Sequence, residues 1–335
     1  MNINRTFFKD NYLLVAEIGN NHEGNIANAI KLINAAKRSG ANAVKFQTFK
    51  TDLYVSKNEN PERFNRLKKY ELSDQNLLKI INYCKKQKII FFSTPFDPVS
   101  VNFLSKFQSI FKISSSDITN KQILKPILNM NKSLIISTGF SDEKTIDPIY
   151  RKCVNYFKKN NKFFSILYCI SDYPTNPNNL NLVNITEFKK RYSKAIIGFS
   201  DHTLGYESAI YSYILGARII EKHFTLDNNF SNFIDHKISL NPEQFNKLSM
   251  ELKKIKKIIG HPGKKLTISE KKNYSLVKRS WYLSKDKKKF EKIDESDLIF
   301  LRPFKKNALD YKSVINKKIN KSLSKGSFVK KSDLI

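Results

Sequence analysis

AIIGFSDHTLGYESAIYSYILGARIIEKHF, residues 195–224, contains two apolar, β-branched runs on either side of a helix-like segment. Each run stops at a histidine: GFSDHT (198–203) supplies His202 and EKHF (221–224) supplies His223. The pattern predicts one strand–helix–strand unit with an imidazole at the end of both strands. If the strands are parallel neighbours, the two rings converge on one point. Convergent imidazoles at the rim of a parallel sheet are the start of a divalent metal site.

The rest of the chain repeats that unit. Apolar runs of strand length occur at 13–19, 43–49, 89–95, 110–117, 133–139 and 163–170, before those at 195–203 and 218–224. Segments with helical period separate them, such as IANAIKLINAAKRSG (26–40) and QNLLKIINYCKKQ (75–87), and NPEQFNKLSMELKKIKKIIG (241–260) follows the last. Strands alternating with helices over about 250 residues predict an α/β chain folded as a (β/α)8 TIM barrel. A doubly wound open sheet is the competing fold, and no glycine-rich nucleotide turn after the first run supports it. The runs begin apolar and end in reactive groups: Glu17, Lys45 and Gln47, Ser93 and Thr94, Lys112 to Asp117, Ser137 and Thr138, Ser171 to Tyr173, Ser200 to His202, Glu221 and His223. In such a barrel the active site forms at the C-terminal strand ends.

With 335 residues the chain can hold a barrel and a small second domain. The expected division is a barrel over 1–262, a linker over 263–274 and a small domain over 275–335. The linker stretch GHPGKKLTISEKKN (260–273) is rich in glycine, proline and lysine. Beyond it, SWYLSKDKKKF and IDESDLIFLRPF lack a long helical period. Cys84, Cys153 and Cys169 are odd in number and have neither zinc nor redox spacing, which points to a reduced, cytoplasmic setting. No apolar run is long enough to span a membrane. The net charge of +30 comes from lysines spread along the whole chain, so specific nucleic-acid binding is not expected.

The chain resembles the sialic acid synthase family, which condenses phosphoenolpyruvate with N-acylated hexosamine-type sugars. The resemblance rests on AEIGNNHEG (16–24), VKFQTF (44–49), FSTPFD (92–97), FKISSSDITN (111–120), ISTGF (136–140), SDYPT (171–175), GFSDHTLG (198–205) and EKHFTLD (221–227). In the tail, KRSWYLSKD (278–286) and LRP (301–303) resemble the family's antifreeze-protein-like (SAF, β-clip) domain. The resemblance implies His202 and His223 as metal ligands, with manganese preferred over magnesium because imidazole joins oxygen ligands. It implies Lys45, Thr94, Lys112, Ser115, Ser137 and Ser200 as phosphoenolpyruvate contacts, and Gln47, Tyr173 and Asp235 as sugar contacts. Glu17 and Asp117 are the implied carboxylates at the reacting centre. A domain-swapped homodimer is implied too, with Arg302 of one subunit's tail reaching the sugar in the other.

The residues agree with parts of this independently. Lys45 and Lys112 sit in apolar strands, where an ammonium is costly without an anionic partner. Each assignment also has a plainer alternative. The lysines can face the helices and reach solvent with their amines, and Asp117 can cap the following helix. Arg302 can be a surface arginine, and the histidines can be satisfied by backbone. The chain also departs from the family pattern: Asp117 stands where a glutamate is usual, Ser114–Ser116 replace a glycine-rich stretch, Tyr168 stands for a frequent histidine, and Phe304–Lys306 follow the arginine-proline where glycines are usual. The expected activity is an N-acetylneuraminate synthase-like condensation giving a nine-carbon 2-keto acid. Legionaminate or pseudaminate synthesis by the same chemistry, a Schiff-base aldolase using Lys112 or Lys45, and a weakly active binding or scaffold homologue remain open alternatives.

Overall fold

Strands and helices alternate through the first part of the chain. The computed structural model describes residues 3–157, 162–260 and 262–335. The strands are β1 (Leu13–Gly19), β2 (Ala43–Thr48), β3 (Ile90–Pro95), β4 (Ile110–Ile113), β5 (Ser133–Ser137), β6 (Phe164–Cys169), β7 (Ile196–Asp201) and β8 (Ile219–His223). They form one parallel sheet of eight in the order β3-β2-β1-β8-β7-β6-β5-β4. Each strand leads into a helix, from Ile26–Arg38 after β1 to Pro242–Ile259 after β8. This is the (β/α)8 barrel expected from the repeated unit.

Two apolar layers hold it together. Successive strand residues point to opposite faces, so Leu14, Ala16 and Ile18 of β1 face outward into the large core shared with the helices. Leu13 and Val15 face inward, where they meet Ala43, Phe92, Ile110, Ile135, Leu167 and Ile219 from the other strands. That inner layer fills the lower barrel, leaving the upper end for polar side chains. The helices begin on side-chain caps that satisfy their first amides: Asn25, Ser73, Asp97, Asn120 and Asn241 each accept from backbone N–H groups.

β3 and β4, at the two ends of the strand order, pack side by side without a ladder. The buried side chain of Gln108 bridges them instead. Ser93 N–H donates to Gln108 Oε1 at 2.8 Å, and Gln108 Nε2 donates to Ser93 O at 3.1 Å. One side-chain amide, from the loop just before β4, thus takes the place of a backbone peptide at this seam.

The run expected at 110–117 is a strand only to Ile113, and Ser115–Asp117 form a 3₁₀ turn. Ser114 Oγ and Ser116 Oγ donate to Asp117 Oδ2 at 2.7 and 2.8 Å, and such local bonds compete with a strand ladder.

By its internal packing the chain divides into Met1–Gly260 and His261–Ile335. The second unit has a small core of Leu283, Ile293, Val314, Ile319 and Val329. It carries one antiparallel pair, β9 (Ser280–Leu283) with β10 (Leu298–Leu301). The stretch expected as a linker, 263–274, overlaps a helix. Ile268–Val277 is a helix opened by a capping box between Thr267 and Glu270, a start signal hidden among lysines.

Candidate active site

The upper layer of the barrel takes one inward side chain from every strand: Glu17, Lys45, Thr94, Lys112, Ser137, Cys169, Ser200 and Glu221 in strand order. Each lies two residues beyond an inward position of the lower layer, so alternation alone aims it at the same axis. These side chains floor a cavity of about 440 Å3. Its walls include Asn20, Gln47, Tyr54, Arg63, Arg66, Ser115, Tyr173, His202, His223 and Asp235.

Four charges meet on the floor, none more than 4% exposed. Lys45 Nζ lies 3.0 Å from Glu17 Oε1 and 3.4 Å from Glu221 Oε1, and Lys112 Nζ lies 3.1 Å from Glu221 Oε1. Ser200 Oγ donates to the same Glu221 oxygen at 2.9 Å. The lysines therefore point inward, not toward solvent, and their charges are balanced by carboxylates. Burial opposes ionisation of Glu221, but Lys112, Lys45 and the Ser200 hydroxyl outweigh it and hold its pKa at about 2. Burial and the nearby Glu221 raise the Glu17 pKa against the pull of Lys45. Burial lowers the Lys112 pKa, whereas its carboxylate neighbours raise that of Lys45. Glu17 Oε2, Glu221 Oε2 and Ser137 Oγ are buried and have no hydrogen-bond partner among the described residues. Unsatisfied buried groups are costly, and these three line one cavity.

His202 and His223 stand at the rim with ring centroids 5.5 Å apart. His202 Nδ1 is 2.8 Å from Ile170 O, so Nδ1 carries a proton, and although burial opposes a charge on the ring, Cys169 and Ile170 O outweigh it and raise its pKa. His223 Nδ1 is buried without a hydrogen-bond partner among the described residues, 3.7 Å from Asp235 Oδ2. Burial, and then His202, push the His223 pKa well below its ordinary value, which keeps the ring neutral as ligation requires. Two imidazoles this close with a carboxylate nearby suit a divalent cation. Among the described residues no three His, Cys, Asp or Glu side chains form a closed metal cage. A cation here would take its remaining ligands from outside the protein. Tyr173 stacks on His202 with centroids 4.2 Å apart. Gly19, at φ +52°, turns the chain out of β1, and a Cβ there would come within 3.2 Å of Glu17 Oε1 and 3.4 Å of Gln47 Nε2.

Residues 32–264 match the NeuB family. The chain belongs to the NeuB family. It is 36% identical to the N,N'-diacetyllegionaminic acid synthase of Campylobacter jejuni subsp. jejuni, over 95% of this chain and 98% of that protein. It is similar to the crystal structure of N-acetylneuraminic acid (sialic acid) synthetase from Leptospira borgpetersenii serovar Hardjo-bovis in complex with citrate, with TM-score 0.71 and 34% identity, covering 78% of this chain and 90% of that one. The fold is shared with a putative spore coat polysaccharide biosynthesis protein E from Chromobacterium violaceum, at TM-score 0.83 and 22% identity over 97% of this chain and 99% of that one.

In this NeuB-family barrel the residues singled out from the sequence line the one cavity, except Asp117 and Arg302. Asp117 is absent from the lining and is bound within its own turn, where Ser114, Ser116 and Asn120 donate to its carboxylate. It does not cap the next helix either, because Asn120 does. The structure does not bring it together with the side chains on the floor, although Ser114 and Ser116, which hold it, line the cavity. Glu17 and Glu221 are the carboxylates on the floor. Arg302 belongs to the second unit, is exposed, and donates from Nε to Val277 O at 2.7 Å. Tyr168, which replaces the frequent histidine, lies outside the barrel wall and donates its hydroxyl to Leu180 O at 2.7 Å. Sequence reasoning counted Glu221 among the reactive strand ends but assigned it no substrate or catalytic role, although it precedes His223 by two positions and strand period puts both on one face. It also missed Arg63 and Arg66, which reach the cavity from the helix Pro61–Tyr70. No strand-end signal marks a helix inserted between β2 and the next barrel helix.

Proposed function

We propose that the chain condenses phosphoenolpyruvate with an N-acylated mannosamine-type sugar, releasing phosphate and a nine-carbon 2-keto acid. The observation that carries this reading is the lysine–carboxylate floor beneath two imidazoles in a single barrel-mouth cavity. The family membership and the names of the relatives support it.

C3 of phosphoenolpyruvate forms the new bond to the aldehyde carbon of the open-chain sugar, and the aldehyde oxygen takes up a proton. Water adds to C2 and gives up one proton, and the C2–O bond to phosphate then breaks as the new C2 hydroxyl loses its remaining proton, which departs with the phosphate, to leave the keto group. A divalent cation held by His202 and His223, manganese before magnesium, would supply a Lewis acid for the aldehyde oxygen. Lys45 and Lys112, with the hydroxyls of Thr94, Ser115, Ser137 and Ser200, hold the carboxylate and phosphate of the anionic substrate. The Glu17 carboxylate lies within the cavity with one oxygen unpaired, and its raised pKa suits it to carry the proton that water gives up. Gln47, Tyr173 and Asp235 orient the sugar from the wall.

A second reading concerns the sugar. The 36% identity to a diacetyllegionaminic acid synthase, spread over nearly both full chains, favours a diacetamido hexose. Incubating the protein with phosphoenolpyruvate, manganese and a panel of mono- and diacylated hexosamines, and measuring phosphate and product mass, tests both. A nine-carbon keto acid from at least one sugar is expected, and no phosphate release with any of them would overturn the activity. His202→Ala and His223→Ala should each abolish tight manganese binding and turnover. Full activity in either would remove that residue from the metal site.

We also read the second unit as the antifreeze-protein-like domain of a swapped homodimer, with Arg302 serving the partner's sugar site. Ile299, Phe300 and Leu301 beside it are exposed apolar side chains in a row, and the helix Ile268–Val277 buries none of its residues. Apolar surface left open in this way fits a covering subunit.

A further inference from the structure

Immediately behind the two histidines lies a charged pair that the chemistry above does not use. Asp201 and Lys222 are register partners on β7 and β8, and each directly precedes one of the histidines. Strand alternation puts His202 and His223 on the cavity side and this pair on the helix side, beneath Glu207–Leu215. Both side chains are fully buried, with Lys222 Nζ 3.0 Å from Asp201 Oδ2. The contacts extend past the pair. Lys222 Nζ donates to Thr203 O at 2.5 Å, and Asp201 Oδ1 accepts from Thr203 N at 2.9 Å and Thr203 Oγ1 at 2.8 Å. The residues before and after His202 are therefore both tied to the residue before His223.

We infer that Asp201, Lys222 and Thr203 form a positioning clasp that sets the separation and tilt of the two imidazoles. A buried ion pair is rarely a net gain over an apolar pair of equal volume, so stability alone is a poor reason for it. Directional bonds do what apolar packing cannot: they fix the register and rotation of two strand ends relative to one another. Partners bonded directly to a ligating ring orient it, as Ile170 O does His202; this clasp acts one step further out, through the backbone on either side of the histidines. The inference rests on the reading of His202 and His223 as ligands.

The test replaces both charges by apolar side chains of similar volume, Asp201→Leu with Lys222→Met, so that neither is left buried alone. Manganese affinity is then measured by the signal of free manganese in titrations of the full chain. With the clasp removed, affinity should fall about 10–100-fold, while the melting temperature stays near wild type. Thr203→Val, which removes one hydroxyl and little volume, should cost a smaller fraction of the affinity. Unchanged manganese affinity in a folded double variant would overturn the inference. A readout without metal separates it from the reading beneath it. In wild type the His202 Nδ1 proton should be protected by Ile170 O, and imidazole NMR should show that protection lost in the double variant. If wild type bound no manganese and this protection still depended on the clasp, the metal reading would fail and the positioning would stand. Protection retained in the double variant would overturn the positioning itself.

Discussion

At the residue scale, the carboxylates on the floor replace the one expected from the turn. Glu17 is buried beside Lys45 with an unpaired oxygen, whereas Asp117 gives its oxygens to Ser114, Ser116 and Asn120. Glu17→Gln should therefore lower kcat by about 10²–10⁴-fold, the usual span for a lost acid–base group. Asp117→Asn should stay within about threefold of wild type, because a side chain outside the cavity contributes little to the chemistry. Phosphate release at saturating substrates checks both, and the opposite ranking would restore Asp117 to the reacting centre. The difference between Glu17 and Asp117 has a local cause. Which way a side chain points at a strand end depends on where the strand stops, and three serines stop β4 early.

At the scale of elements, alternation was legible and closure was not. The apolar runs foretold all eight strands, and two-residue period carried Lys45, Lys112 and Ser200 to the cavity side. Nothing in KFQSIF marks Gln108 as the bridge between β3 and β4, since that role exists only once the barrel brings Ser93 alongside. Gln108→Leu would leave the buried N–H and C=O of Ser93 unpaired. A loss of about 2–4 kcal/mol is expected, from about 1–3 kcal/mol for each unsatisfied group. Urea unfolding of the barrel measures it. A midpoint equal to wild type would mean that the seam closes without that side chain.

For the whole molecule, the proposed swap makes a prediction that no single chain can satisfy. Arg302→Ala alone damages every sugar site, and His202→Ala alone damages every metal site. In a swapped dimer of one chain of each kind, one barrel is intact and receives an intact arginine. Co-expressed, differently tagged chains purified as mixed dimers should recover up to about half of the wild-type activity per dimer, since one site of the two is restored. Mixed dimers as inactive as the separate variants would show that each tail serves its own barrel.

Sequence by itself determined the barrel, the polar strand ends and most of the side chains lining the cavity. All of these follow from periodicity within short segments, which neighbouring residues enforce through alternation and packing. Tertiary structure alone decided how the charges pair, which carboxylates reach the floor, and that a helix from the β2 excursion brings Arg63 and Arg66 to the wall. Those features depend on distances between residues far apart in the chain. The contact of Lys112 with Glu221, 109 positions away, exists only because the barrel brings β4 and β8 to face each other across its axis.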